Sequence, residues 1–290
     1  MRALPNGSRP CPGFLFSLPG VLATVTSCFF RRFLIPVFAF GMIDHWPADR
    51  PVKRLTFVSD LHLFSNRCSV TEHQGLIESC IDQAEICIWG GDLFDFRWSR
   101  LEDEATSVSQ ALNWLSQWYE RFPEKHFVYL HGNHDAHGAF SDALIQWAAD
   151  RSRFECDLDC MRIKDTLFLH GDVIEGKGNL DAFAEYRGRW QKKRVASRVA
   201  SGFYDVAIAA RAHKAAAMAA HRRKATCLQL LHWMHRQPAE ATEGIRRIVF
   251  GHTHRRLDGY RLDGIEFFNG GATIRHVPFS PVMIEFDQKA

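Results

Sequence analysis

Short apolar runs that end in Gly, Asp, Asn or His alternate along this chain with longer stretches carrying apolar residues at helical spacing. Leu55 to Val58, Ile86 to Trp89, Phe127 to Leu130, Leu167 to Leu169 and Ile248 to Phe250 are short and apolar, which predicts buried strands. Val70 to Ala84 and Leu101 to Phe122 predict helices. In the second of these, Ala111, Leu112, Leu115, Trp118 and Tyr119 form one apolar stripe, and Pro123 helps to end it. Ala143 to Ala149 predicts a further short helix. Arg162 to His170 reads as a hairpin around Lys164-Asp165-Thr166, and Gly259 to Phe268 as a second hairpin with a central Asp-Gly turn. Val282 to Phe286 supplies a final strand. The alternation predicts an α/β fold.

Residues 1 to 50 do not follow this alternation and are expected to lie outside the domain that fills 51–290. Cys11 to Phe30 carries no charge, Arg31 and Arg32 interrupt, and Phe33 to Met42 is apolar again. A membrane span has the required length, but Pro12, Gly13, Pro19 and Gly20 weaken a helix there. A secretory signal fits Arg2 and Arg9 but not the Arg31-Arg32 pair. Translation starting at Met42 would remove the segment altogether. Three readings stand open: a disordered or spurious extension, a membrane-associating segment, and a cleaved signal.

Composition narrows the class. At 290 residues and 46% hydrophobic content the chain can bury a sizeable core. Eight scattered cysteines without a CxxC pair imply a reducing, cytoplasmic setting rather than a disulfide framework. The net charge of +3 is uneven, since residues 179–236 hold twelve basic residues against three acidic ones. That stretch lacks proline before Pro238 and is rich in Ala, Leu, Arg and Lys, which predicts helix. It is expected as a basic cap beside the site, attracting anionic substrates or touching a membrane surface. Trp190, Phe203 and Tyr204 could stack on bases, but no nucleic-acid-binding motif accompanies them, so nucleic acid is not an expected partner.

Five motifs close the apolar runs: SDLH with Asp60 and His62, GGD with Asp92, GNHD with Asn133 and His134, HGD with His170, and GHTH with His252 and His254. Residues two apart on a strand share a face, so each pair is expected to aim at one point beyond its strand end. Ligands of open α/β sheets collect outside the carboxyl ends of the strands. Mixed imidazole, carboxylate and amide-oxygen donors suit Mn, Fe, Zn or Co better than Ca or a structural Zn site. Two such ions can activate water and clamp the oxygens of a phosphoryl transfer. Asp92 is the central candidate for a bridging carboxylate. Asp135 reads as a loop carboxylate bonding backbone amides, and His131 and His137 as supporting or surface groups.

From Arg54 to Phe286 this series resembles the calcineurin-like metallophosphoesterase superfamily. The resemblance implies an αββα sandwich, here with a helical cap insertion at 179–236, and two divalent metal ions. It implies Asp60, His62, Asp92 and His254 at one ion, and Asp92, Asn133, His170 and His252 at the other. His134 would protonate the leaving-group oxygen as a metal-bound hydroxide attacks a phosphate ester or anhydride. Asp95, three residues after Asp92, would orient that histidine. The Asp-Leu-Phe-Asp run at Asp92, the nearby Trp98 and the basic insert also resemble the UDP-2,3-diacylglucosamine pyrophosphatases, whose substrate is a lipid. Those enzymes usually carry Asn-Arg-Asp where this chain has Asn133-His134-Asp135. A metal-stabilised binding module without turnover is the alternative from another class, and the oligomeric state stays open.

Overall fold

The computed structural model describes residues 43–191 and 222–287. Two sheets form its centre. One runs in the order β11-β2-β3-β4-β5, built from β2 (Arg54–Val58), β3 (Ile86–Trp89), β4 (His126–Leu130), β5 (Phe154–Leu158) and β11 (Val282–Glu285). The other runs β1-β6-β7-β8-β10-β9, from β1 (Ile43–His45), β6 (Cys160–Ile163), β7 (Thr166–Leu169), β8 (Arg247–Phe250), β9 (Leu257–Leu262) and β10 (Ile265–Asn269). Strands β2 to β5 are mutually parallel, as are β7 and β8.

Alternation along each central strand explains the layering. Leu55, Phe57, Ile86, Ile88, Val128 and Leu130 face inward and pack with Met161, Ile163, Phe168 and Val249 of the second sheet. The opposite faces are equally apolar, which requires a cover on both sides. Val58, Cys87, Trp89, Phe127 and Tyr129 are buried with residues of α1 (Gln74–Asp82), α2 (Glu104–Arg121) and α3 (Gly138–Ala148). Leu167, Leu169, Ile248, Phe250 and Phe267 are buried with residues of α4 (Leu180–Gln191) and α5 (Arg223–Met234). The result is helix, sheet, sheet, helix. Asp103 caps α2, its side chain accepting the Thr106 amide at 2.7 Å.

The boundary expected at residue 50 falls inside the fold, because β1 pairs in parallel with β6 and Arg50 forms an ion pair with Glu155 at 3.3 Å. Residues 1–42 lie outside the described residues, and so do the readings placed on them. The stretch 179–236 was expected as a cap. Its described ends, α4 and α5, lie in the outer layer of the six-stranded sheet, with Phe183, Leu230, Leu231, Trp233 and Met234 buried there. Residues 192–221, which carry much of the basic charge, lie outside the described residues. Among the described residues no helix is long and apolar enough to cross a membrane.

Candidate metal centre

All five motifs meet at the carboxyl ends of β2, β3, β4, β7 and β8. The pairs Asp60/His62 and His252/His254 do not converge by strand pleating, as expected from sequence. Strand β2 stops at Val58 and β8 at Phe250, and pleat alternation stops with them. Instead Asp60, His62, Asp92, His252 and His254 all adopt left-handed backbone, with φ of 57°, 50°, 52°, 62° and 53°. Non-glycine residues pay about 1–3 kcal/mol for each such conformation, and they do so mainly at functional sites. Hydrogen bonds hold the strained loops in place. The amides of Asp60 and His62 donate to the carbonyls of Gly91 and Asp92, each at 3.0 Å, and the Gly251 amide donates to the His170 carbonyl at 2.7 Å.

These loops gather two donor groups. Asp60, His62 and His254 place one ligand atom each within 4.8 Å of one another, and Asp92, His170 and His252 do the same. In the first group His62 Nε2 and His254 Nε2 are 3.0 Å apart, with Asp60 Oδ1 3.4 Å from His254 Nε2. In the second, His170 Nε2 lies 3.3 Å from Asp92 Oδ2. His170 Nδ1 contacts the Gly90 carbonyl at 3.0 Å, which fixes the ring and leaves Nε2 for the site. His252 Nε2 contacts Glu175 Oε1 at 3.1 Å.

The donor set fits divalent cations. Asn133 Oδ1 and His170 Nε2 are buried without a hydrogen-bond partner, a costly state unless something fills it. His62 is held neutral, as ligation requires, its pKa lowered to about 3 by burial and by Arg67. His170 shows the opposite balance. Burial alone would lower its pKa, but Asp92 and Asp60 outweigh burial and push it up to about 10.

His134 borders both donor groups, and with His62 and Asp95 it forms a third cluster of donor atoms within 4.8 Å of one another, its ring edge-on to that of His62 with centroids 5.0 Å apart. Its amide donates to Asp92 Oδ1 at 2.7 Å, and its Nδ1 lies 3.0 Å from Asp95 Oδ1. Asp95 is fully buried, and burial would raise its pKa, yet His134 and Arg67 hold it well below the usual carboxylate range. Asp135 accepts from the amides of Gly132 at 2.8 Å and Leu93 at 2.9 Å and from the Tyr129 hydroxyl at 2.7 Å, so it ties the GNHD loop to the GGD loop. His137 pairs with Glu104 at 3.3 Å, and the buried His131 offers its carbonyl to Arg187.

Sequence reasoning missed three contributors. Arg67 donates to Asp95 Oδ2 at 2.7 Å and lies 2.9 Å from His62 Nδ1, linking the first donor group to the His134 support. Glu175 contacts His252, and Trp190 packs on His134 with ring centroids 4.4 Å apart. A lone arginine or glutamate carries no spacing signal, and Trp190 stands out in the sequence only as a candidate for base stacking, not as a neighbour of His134.

The sequence model of the calcineurin-like phosphoesterases matches residues 53–256, well over half of the chain. No curated protein matches the chain by sequence. Among solved structures, a dimetal phosphatase from Danio rerio aligns over 82% of this chain and 100% of its own, at 10% identity and a TM-score of 0.41.

Proposed function

Because the chain belongs to the calcineurin-like phosphoesterase family and is a metal-dependent phosphoester hydrolase, we propose that its seven motif residues hold two divalent cations and that His134 is the general acid. Asp60, His62 and His254 serve one cation and Asn133, His170 and His252 the other, with Asp92 shared between them. The observation that carries the reading is the pair of donor groups, each within 4.8 Å, flanking a histidine whose Nδ1 is already held by Asp95.

The chemistry such cations supply when bound is activation of water and neutralisation of charge on the phosphoryl oxygens. The imidazole and amide donors favour Mn, Fe, Zn or Co. The chain's own residues do the rest. Asp95 fixes the His134 ring by taking up Nδ1, so that Nε2 is the nitrogen left for a substrate oxygen. A water oxygen bonds to phosphorus and releases a proton to solvent, the P–O bond to the leaving group breaks with its electron pair on oxygen, and His134 gives that oxygen a proton that solvent then restores. Such general acid catalysis contributes typically 10²–10⁴-fold.

The test is turnover of a chromogenic phosphoester by chelator-stripped protein before and after Mn²⁺ is returned, with metal counted per chain. Two metals and restored turnover are expected. Two metals with no turnover on any phosphoester would instead favour a metal-stabilised binding module.

A further inference from the structure

His134 is flanked by a cluster that the donor groups do not use. Its imidazole is 12% exposed and packs against the Trp190 indole, with centroids 4.4 Å apart and planes at 44°. Trp190 comes from the last turn of α4, and Tyr186, one turn earlier, lies 6.4 Å from it between ring centroids. Arg97 and Trp98 stand two and three residues after Asp95. The Arg97 guanidinium sits 5.9 Å from the Trp190 ring centroid and 5.2 Å from that of Trp98. The Trp98 amide donates to Asp95 Oδ1 at 3.2 Å, so the carboxylate that holds His134 also anchors this cluster. Among the described residues Arg97 has cation–π contacts and no carboxylate partner.

We infer that Arg97, Trp98 and Trp190 form a leaving-group subsite for a planar aromatic ring, so that the substrate class is a phosphate ester whose leaving alcohol is, or carries, such a ring. This deepens the phosphoesterase reading and rests on it. The leaving oxygen must lie against His134 to receive its proton, and the skeleton behind that oxygen must meet whatever packs on His134. That neighbour is Trp190. Two indoles and a planar guanidinium present π faces and a delocalised cation, both of which stack on flat rings. An alkyl chain or a bare sugar gains only contact area from the same wall. Ring stacking on one aromatic side chain corresponds to roughly 5- to 150-fold in kcat/KM.

The test uses the full chain with Mn²⁺ and two monoesters of matched leaving-group acidity, one aryl and one fluoroalkyl, beside a nucleoside 5′-monophosphate. Wild type is expected to prefer the aryl ester. In Trp190→Leu and Trp98→Leu that preference should collapse toward unity with metal content unchanged, and Arg97→Gln should reduce it in part. A general packing role for the tryptophans would lower both esters together and leave their ratio intact, which overturns the subsite. A larger loss for the nucleotide than for the aryl ester supports the subsite and places the ring one sugar away from the ester oxygen. Equal wild-type kcat/KM for both esters, with no selective loss for the nucleotide in Trp98→Leu, overturns the subsite alone. Two bound metals and no turnover of any of the three overturns the phosphoesterase reading beneath it.

Discussion

Gly132 has no side chain because the Asp92 carboxylate occupies the space one would need. A Cβ at Gly132 would lie 2.2 Å from Asp92 Oδ1 and 2.4 Å from the Asp92 amide nitrogen. Gly251 stands in the same relation to Asp60, with Oδ2 at 2.3 Å from a Cβ there. The glycines of these motifs are therefore set by the carboxylates they pack against. Gly132→Ala should push Asp92 out of place at an overpacking cost of about 1–3 kcal/mol. We expect folded protein that binds fewer than two metals per chain, read by elemental analysis beside a melting curve. Full metal content would show that the loop yields without moving the carboxylate.

Asp92→Asn tests the shared carboxylate directly. The amide keeps the shape but loses the charge and one acceptor oxygen, while His170 loses its nearest anion. Fewer than two metals and loss of turnover with every substrate are expected. Two tightly held metals with near-normal turnover would sink the dinuclear arrangement.

How far the site was legible depends on what each residue answers to. The central strands follow from apolar runs, since both of their faces are buried, and α2 follows from the single stripe that it buries at Ala111, Leu115 and Trp118. Strand β5 was missed because Phe154, Cys156 and Leu158 alternate with the polar Glu155 and Asp157 at a sheet edge. Strand β1 is three residues long, with only Ile43 apolar, beside a segment set aside for its composition. The structure brings the motif residues together, yet by left-handed loops rather than by pleating, and periodicity cannot express that. Arg67, Glu175 and the contact of Trp190 with His134 were invisible because the partners lie in other motifs or across the fold.

Asp95 and His134 give a prediction that separates positioning from ligation. Asp95→Asn would leave the His134 ring without its anionic partner, and His62 without a nearby carboxylate at 3.6 Å. Partners of this kind typically matter by roughly 10–100-fold. We expect kcat to fall by that order with the fold intact. His134→Ala should go further, about 10²–10⁴-fold, while metal content is kept. Its loss should shrink for esters of acidic alcohols, which leave without a proton. An equal loss for good and poor leaving groups would contradict the acid role.

Arg187 counts as one of the twelve basic residues of the 179–236 stretch, yet it is 2% exposed and does not belong to a solvated face. Its guanidinium pairs with Asp172 through both Nε and Nη2, meets Asp159 at 3.4 Å, and donates to the His131 carbonyl at 2.8 Å. Burial alone would lower its pKa, but Asp172 and Asp159 outweigh it, so the group stays charged. The contacts tie α4 to the HGD loop and to the end of β4, beside the GNHD motif. Removing one partner of a buried ion pair costs about 3–5 kcal/mol because the other charge is stranded. A solvated cap charge would cost within about 0.5 kcal/mol. Arg187→Met should therefore lower the melting temperature sharply, and Arg187→Met combined with Asp172→Leu should recover part of the loss. The effect should change little with salt, since screening hardly reaches buried pairs. If Arg187→Met melts like wild type, the arginine is no anchor, and the position of α4, with Trp190 on it, must be held by apolar contacts such as those of Phe183 and Tyr186.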